Sequence, residues 1–195
     1  MNSDQMKIQD LSAASVSALQ SNVEGFRVFG EYQVQCHDKD GNLLWEDVAP
    51  NLVTDVGAKL LLDTILAGSA FTATTYMGLK GSGAAAVGDT QASHAGWLEV
   101  GAANAPTYTA PRKTVSWSSA SGTGAGSRTK PSTGTYTFAI TSGSGVTVDG
   151  CFININGTSA IDNTTGTLFS AGTFSGGAKT VSNGDSLTVT YALNC

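Results

Sequence analysis

The stretch "SLTVTYAL", residues 186–193, sets Leu187, Val189, Tyr191 and Leu193 on one side and Ser186, Thr188 and Thr190 on the other. Alternation at every second position marks a β-strand with one buried face. It recurs along this chain often enough to limit what the chain can become. Phe26, Val28, Tyr32, Val34 and Cys36 fall on one face of an early segment, opposite Arg27, Glu31, Gln33 and Gln35. The run "DKDGN" then turns the chain, because Asp-Gly supplies the positive φ of a tight hairpin, and residues 43–48 return as the partner strand. Shorter apolar runs at 76–80, 96–100, 113–118, 135–141, 146–148, 151–156 and 167–170 lie between clusters of Gly, Ser, Thr and Asn and read as further strands.

A helical period occurs once with conviction. After Pro50, Asn51 can cap a helix in which Val53, Val56, Leu60, Leu61 and Ile65 share a side, and Gly68 stands where a left-handed stop is expected. Residues 1–25 carry Ile8, Leu11, Leu19 and Val23 at loosely helical spacing among Ser, Gln and Asn, a stripe too thin to hold an isolated helix in water. They predict an N-terminal arm ahead of one β-domain over 26–195. Many short strands and one short α-helix predict a mainly β fold, a jelly-roll-like antiparallel β-sandwich. The stretch "SSASGTGAGSRTKPSTG", residues 118–134, reads as a long surface loop.

Charge narrows the partners. Only 13% of the 195 residues are charged, about half the usual ~25%, and 10 basic against 15 acidic side chains leave a net charge of −5. A groove that tracks phosphates needs clustered Lys and Arg, so nucleic acid and anionic membranes are not expected partners. No stretch approaches the ~18 consecutive apolar residues of a membrane span, and the N-terminus lacks the basic and apolar regions of a signal peptide. The three cysteines, Cys36, Cys151 and Cys195, are odd in number and widely spaced, which predicts free thiols and a reducing compartment.

Several motifs look reactive and fail on geometry. "DTQASHAGWLEV", residues 89–100, brings together Asp89, Ser93 and His94. Adjacent Ser and His side chains on extended backbone point to opposite faces, and the serine lacks the flanking glycines of a nucleophile elbow. The expectation is a loop whose Asp89 and Ser93 bond nearby backbone amides, with Trp97 anchoring the strand that follows. "DKDGN" places Asp38, Asp40 and Asn42 like calcium ligands, but Leu43 stands where that loop needs glycine and Ala49 where it needs glutamate. Gly81, Gly83 and Ala86 match a dinucleotide spacing with no βαβ context. His37 and His94 are too few for a metal centre. Glu46, Asp47 and Glu99 read as a solvated rim, and Trp45, Trp97 and Trp117 as core or subunit contacts, with sugar stacking as the lesser reading. No catalytic residue, metal or cofactor is expected, and the chain does not read as an enzyme.

Two long stretches carry a resemblance. "YMGLKGSGAAAVGDTQASHAGWLEV", followed by "APRKTVSW", and the ending "GTLFSAGTFSGGAKTVSNGDSLTVTYALN" resemble a family of tailed-bacteriophage virion structural proteins, and "VAPNLVTDVGAKLLLD" extends the likeness to about residues 40–195. The resemblance implies a capsid cement or decoration protein on the head exterior, assembled in the host cytoplasm. Its partner would be the major capsid protein, and a dimer or trimer of the chain itself is expected. Ile8, Leu11, Leu19 and Val23 are the expected interface residues of the arm. The alternatives from sequence are a receptor- or glycan-binding module of a tail fibre, using Trp97 or Trp117 as a stacking platform, or a tail or neck component.

Overall fold

The computed structural model of the chain describes residues 27–66, 71–124, 126–142 and 144–195. It begins with the predicted hairpin: β1 (Phe29–His37) and β2 (Leu43–Val53) pair antiparallel around the 38–42 turn. Asp38 fixes that turn by accepting from the amides of Asp40 and Asn42, both at 2.8 Å, and Gly41 supplies φ 86°. The Asn42 side chain also donates to Asp38, and these bonds hold the carboxyl below its usual range.

β2 is longer than the sequence predicted, and its length organises the fold. Its first part, to Pro50, pairs with β1, and Asn51–Val53 pair with β10 (Thr167–Thr173). Proline has no amide to donate, and Pro50 sits where the chain leaves one neighbour for the next. The remaining strands are β3 (Thr75–Lys80), β4 (Glu99–Val100), β5 (Lys113–Val115), β6 (Thr129–Pro131), β7 (Tyr136–Ala139), β8 (Ser144–Val148), β9 (Gly150–Ile155), β11 (Lys179–Ser182) and β12 (Ser186–Asn194). Ten of the twelve strands among the described residues form one antiparallel sheet in the order β4-β3-β9-β10-β2-β1-β12-β6, with β5 on β3 and β7 on β12, while β8 and β11 pair separately.

Tyr32, Val34, Cys36, Leu187 and Val189 from one half of this sheet and Met77, Leu79, Cys151, Ile153 and Phe169 from the other belong to a single buried cluster. The two halves therefore face a common core, as in a sandwich. The fold is mainly β and antiparallel with a short helix, and the sheet does not close on itself. β6 and β11 escape the sequence patterns because "TKP" and "KTVS" carry almost no apolar alternation; β6 lies in what read as a loop.

The helix, α1, spans Asp55–Leu66. Asn51 is not its cap: it lies in β2 and donates to the Tyr191 hydroxyl at 2.6 Å. Thr54 caps instead. Its buried hydroxyl accepts from the Gly57 amide at 3.1 Å and donates to the Leu168 carbonyl, while Asp55 complements the positive helix end. A Cβ at Gly57 would meet the Phe169 carbonyl oxygen at 2.3 Å, so glycine is what lets α1 lie against β10. Leu61 packs on the core, but Ile65, expected on the same side, is 69% exposed. Gly68, the expected stop, lies outside the described residues.

Because Thr54 both caps α1 and satisfies a buried carbonyl, Thr54→Ala is expected to cost about 2 kcal/mol of unfolding free energy. Urea denaturation measures it. Thr54→Ser should recover most of the loss, and a cost below ~0.5 kcal/mol would show that the hydroxyl does not fasten the helix.

Candidate functional site

β9 and β10 are buried along almost their whole length. Cys151, Ile153 and Phe169 enter the main core, while Phe152, Leu168 and Ala171 form a second apolar cluster with Trp97. What covers this second cluster is the segment that looked reactive in sequence. The Trp97 indole donates to the Asp89 carboxylate at 2.9 Å, and the same oxygen accepts from the Ala86 amide at 2.9 Å. Thr90 and Ser93 exchange backbone hydrogen bonds. His94 stacks on Trp97 with centroids 4.0 Å apart, and its Nδ1 donates to the Trp97 carbonyl at 2.9 Å. Gly83, at φ 113°, lets the loop close, since a Cβ there would meet the Gly96 carbonyl oxygen at 1.9 Å.

No hydrolytic arrangement results. His94 turns toward Trp97 and not toward the Ser93 hydroxyl, and Asp89 serves the indole and an amide. Ser93 takes part through its backbone and not through the expected side-chain hydrogen bond to a backbone amide. Trp97 is 2% exposed and offers no open face for a sugar ring. Trp117 is half-buried, edge-on to Tyr191, and donates to Thr75.

Beside this loop the structure corrects the solvated-rim reading of Glu99, which is 3% exposed. Arg112, also buried, grips Glu99 through Nε at 2.8 Å and through Nη2, and lies over the Phe152 ring. Arg112 further donates to the carbonyls of Thr158 and Asn163, and the Asp162 amide donates to Glu99. The pair thus ties β4 to the loop between β9 and β10. Burial pushes the Glu99 carboxyl above its ordinary range, and the opposing pull of Arg112 does not cancel it. Asn154 continues the network, donating to Gln91 at 2.8 Å and to the Thr165 carbonyl at 3.0 Å.

A shallow bowl of about 370 Å³ opens here, lined by Gln91, His94, Leu98, Glu99, Asn104 and Asp162 among others. Of its titratable side chains, Glu99 is engaged by Arg112 and the Asp162 amide, and His94 by the Trp97 carbonyl. Asp47, another of the expected rim acids, pairs with Lys179 at 2.8 Å and accepts from the Gly176 amide. Lys80 is a second buried charge: Nζ donates to the Gly81 carbonyl at 3.1 Å and faces Asp149 at 3.5 Å, and burial lowers its pKa against the pull of Asp149. Among the described residues no three His, Cys, Asp or Glu side chains gather as metal ligands, and no helix is long and apolar enough to cross a membrane.

The other distinctive surface is apolar. A groove of about 500 Å³ runs between α1 and the end of β12, walled by Val28, Val53, Leu61, Leu62, Ile65 and Leu193. Leu62, Ile65 and Leu66 are 59%, 69% and 80% exposed. Arg27, Arg128 and Lys130 also line the groove, with Asp55 as the acidic side chain among them. Sequence reasoning missed this surface because it treated Ile65 as core. The expected interface residues Ile8, Leu11, Leu19 and Val23 lie outside the described residues.

Comparison with protein-family models, with curated proteins and with solved structures finds no match.

The buried ion pair makes a sharp test of what the loop region is for. Arg112→Met strands the Glu99 carboxylate and is expected to destabilise the protein by about 3–5 kcal/mol, whereas adding Glu99→Leu should restore most of that stability. Equilibrium denaturation of both variants checks it. A double variant as unstable as the single one would mean that Arg112 matters through its carbonyl contacts rather than through Glu99.

Proposed function

We propose that this protein is a structural component of a tailed-phage virion, a cement or decoration protein that sits on the head exterior and bridges neighbouring coat subunits. The observation that carries the reading is where the chain spends its side chains. Asp89, His94, Glu99 and Arg112, the groups that would suggest chemistry, are consumed in holding a loop onto the sheet. What faces outward is weakly charged surface with an apolar groove at the point where residues 1–26 join. Such a surface suits adhesion. The sequence resemblance points the same way, and the bent sheet is taken here as a relative of the jelly-roll sandwich.

In this proposal the partner is the major capsid protein. A stable contact buries ~1,200–2,000 Å², more than one small domain readily offers, so copies of the chain associate as a dimer or trimer. The arm, with Ile8, Leu11, Leu19 and Val23, widens the contact by ordering on the coat. Binding the assembled shell and not free subunits stabilises the shell by mass action. The virion location rests on this reading alone.

Few charges take part, so attachment should survive ~1 M salt, where the screening length is ~3 Å. Gel analysis of purified heads after a salt wash reads the occupancy. Loss of the protein at moderate salt overturns the interface, and heads that never contain it overturn the function. Deleting residues 1–20 is expected to lower head occupancy while the β-rich circular dichroism persists. Binding to a glycan array would favour a tail-fibre module instead.

A further inference from the structure

We infer that the groove between α1 and β12 is the seat of this chain's own N-terminal segment, with Leu19 and Val23 laid against Leu61, Leu62 and Ile65. The inference goes beyond the virion reading, does not need it, and revises it in one respect: Leu19 and Val23 face the chain's own groove and leave Ile8 and Leu11 to the coat. The first ground is where the segment ends. Arg27 and Val28, the first described residues, already line the groove, and the segment is joined directly to them.

The second ground is complementary pattern. Leu62 and Ile65 are left 59% and 69% exposed on one face of α1, although each would lose unfavourable contact with water if covered. Leu19 and Val23 stand four residues apart, the spacing that puts two side chains on one side of a helical turn. The third ground is charge. Arg27, Arg128 and Lys130 line the groove beside a single Asp55, while residues 15–26 carry Glu24 and no Lys or Arg.

Length divides the segment in two. α1 has 12 residues and is ~18 Å long, so a helical partner of about the same length fills the groove. Roughly the last 12 residues before Arg27 suffice, and the part carrying Ile8 and Leu11 remains to reach another molecule.

Cys195 lines the groove and reports on its cover. Cys36 and Cys151 do not compete: both are buried, and burial pushes their thiols up, Cys36 to about 12. At pH 8 the reaction of the native protein with DTNB therefore reads Cys195. Removing residues 1–25 should speed it at least about tenfold, the protection that ~1.4 kcal/mol of docking gives, and a synthetic peptide of residues 1–26 should slow it again. Leu62→Asp with Ile65→Asp in the full chain should speed it equally, because both side chains are exposed and the core is untouched. Equal rates in the full and shortened chains overturn the proposal. A rate in the full chain that falls as protein concentration rises would assign the groove to a second copy's segment and overturn docking within one chain.

Discussion

The central strands β9 and β10 are buried on both faces, and much of the rest follows from that constraint. A strand with apolar side chains on both sides needs two covers. The opposite half of the bent sheet provides one, over Cys151, Ile153 and Phe169, and the loop carrying Trp97 provides the other, over Phe152 and Leu168. A loop recruited as a cover spends its polar groups on holding its own shape. Its acid is needed to satisfy the indole N–H, its histidine is pinned against the ring, and its glycines allow the close approaches that a side chain would block.

The same constraint explains the buried charges. Glu99 and Arg112 lie at the border of the loop cover, where β4 meets the segment between β9 and β10. An ion pair in that position adds little net stability over apolar residues of the same shape, but it demands one geometry, because either charge left alone is costly. Five polar contacts converge on it: two between the partners, the Asp162 amide, and the carbonyls of Thr158 and Asn163. The pair thus specifies how two irregular segments fit together, a task that non-directional apolar packing does poorly.

Legibility in the sequence followed locality. The hairpin of β1 and β2, the strand β12 and the helix were readable because each rests on periodicity or turn chemistry within a dozen residues. The Thr54 cap was misread as Asn51 because Pro50 looked like a helix boundary, whereas β2 runs through it and takes a new neighbour. Glu99 and Arg112 are 13 residues apart and meet only through the sheet, so no local pattern announces them. β6 was hidden because an edge strand such as Thr129–Pro131 is stabilised by backbone pairing with β12 and needs no apolar stripe. The groove was hidden for the converse reason: an apolar position at helical spacing is the same whether it is covered or open.

The passage of β2 across both halves of the sheet has a mechanical consequence. A pull transmitted from α1 enters the sheet at Val53 and meets hydrogen bonds to β10 first and to β1 beyond Pro50. Because β2 is laced to different neighbours at its two ends, it cannot peel from one without dragging the other, and tension spreads through the whole sheet rather than unzipping one edge.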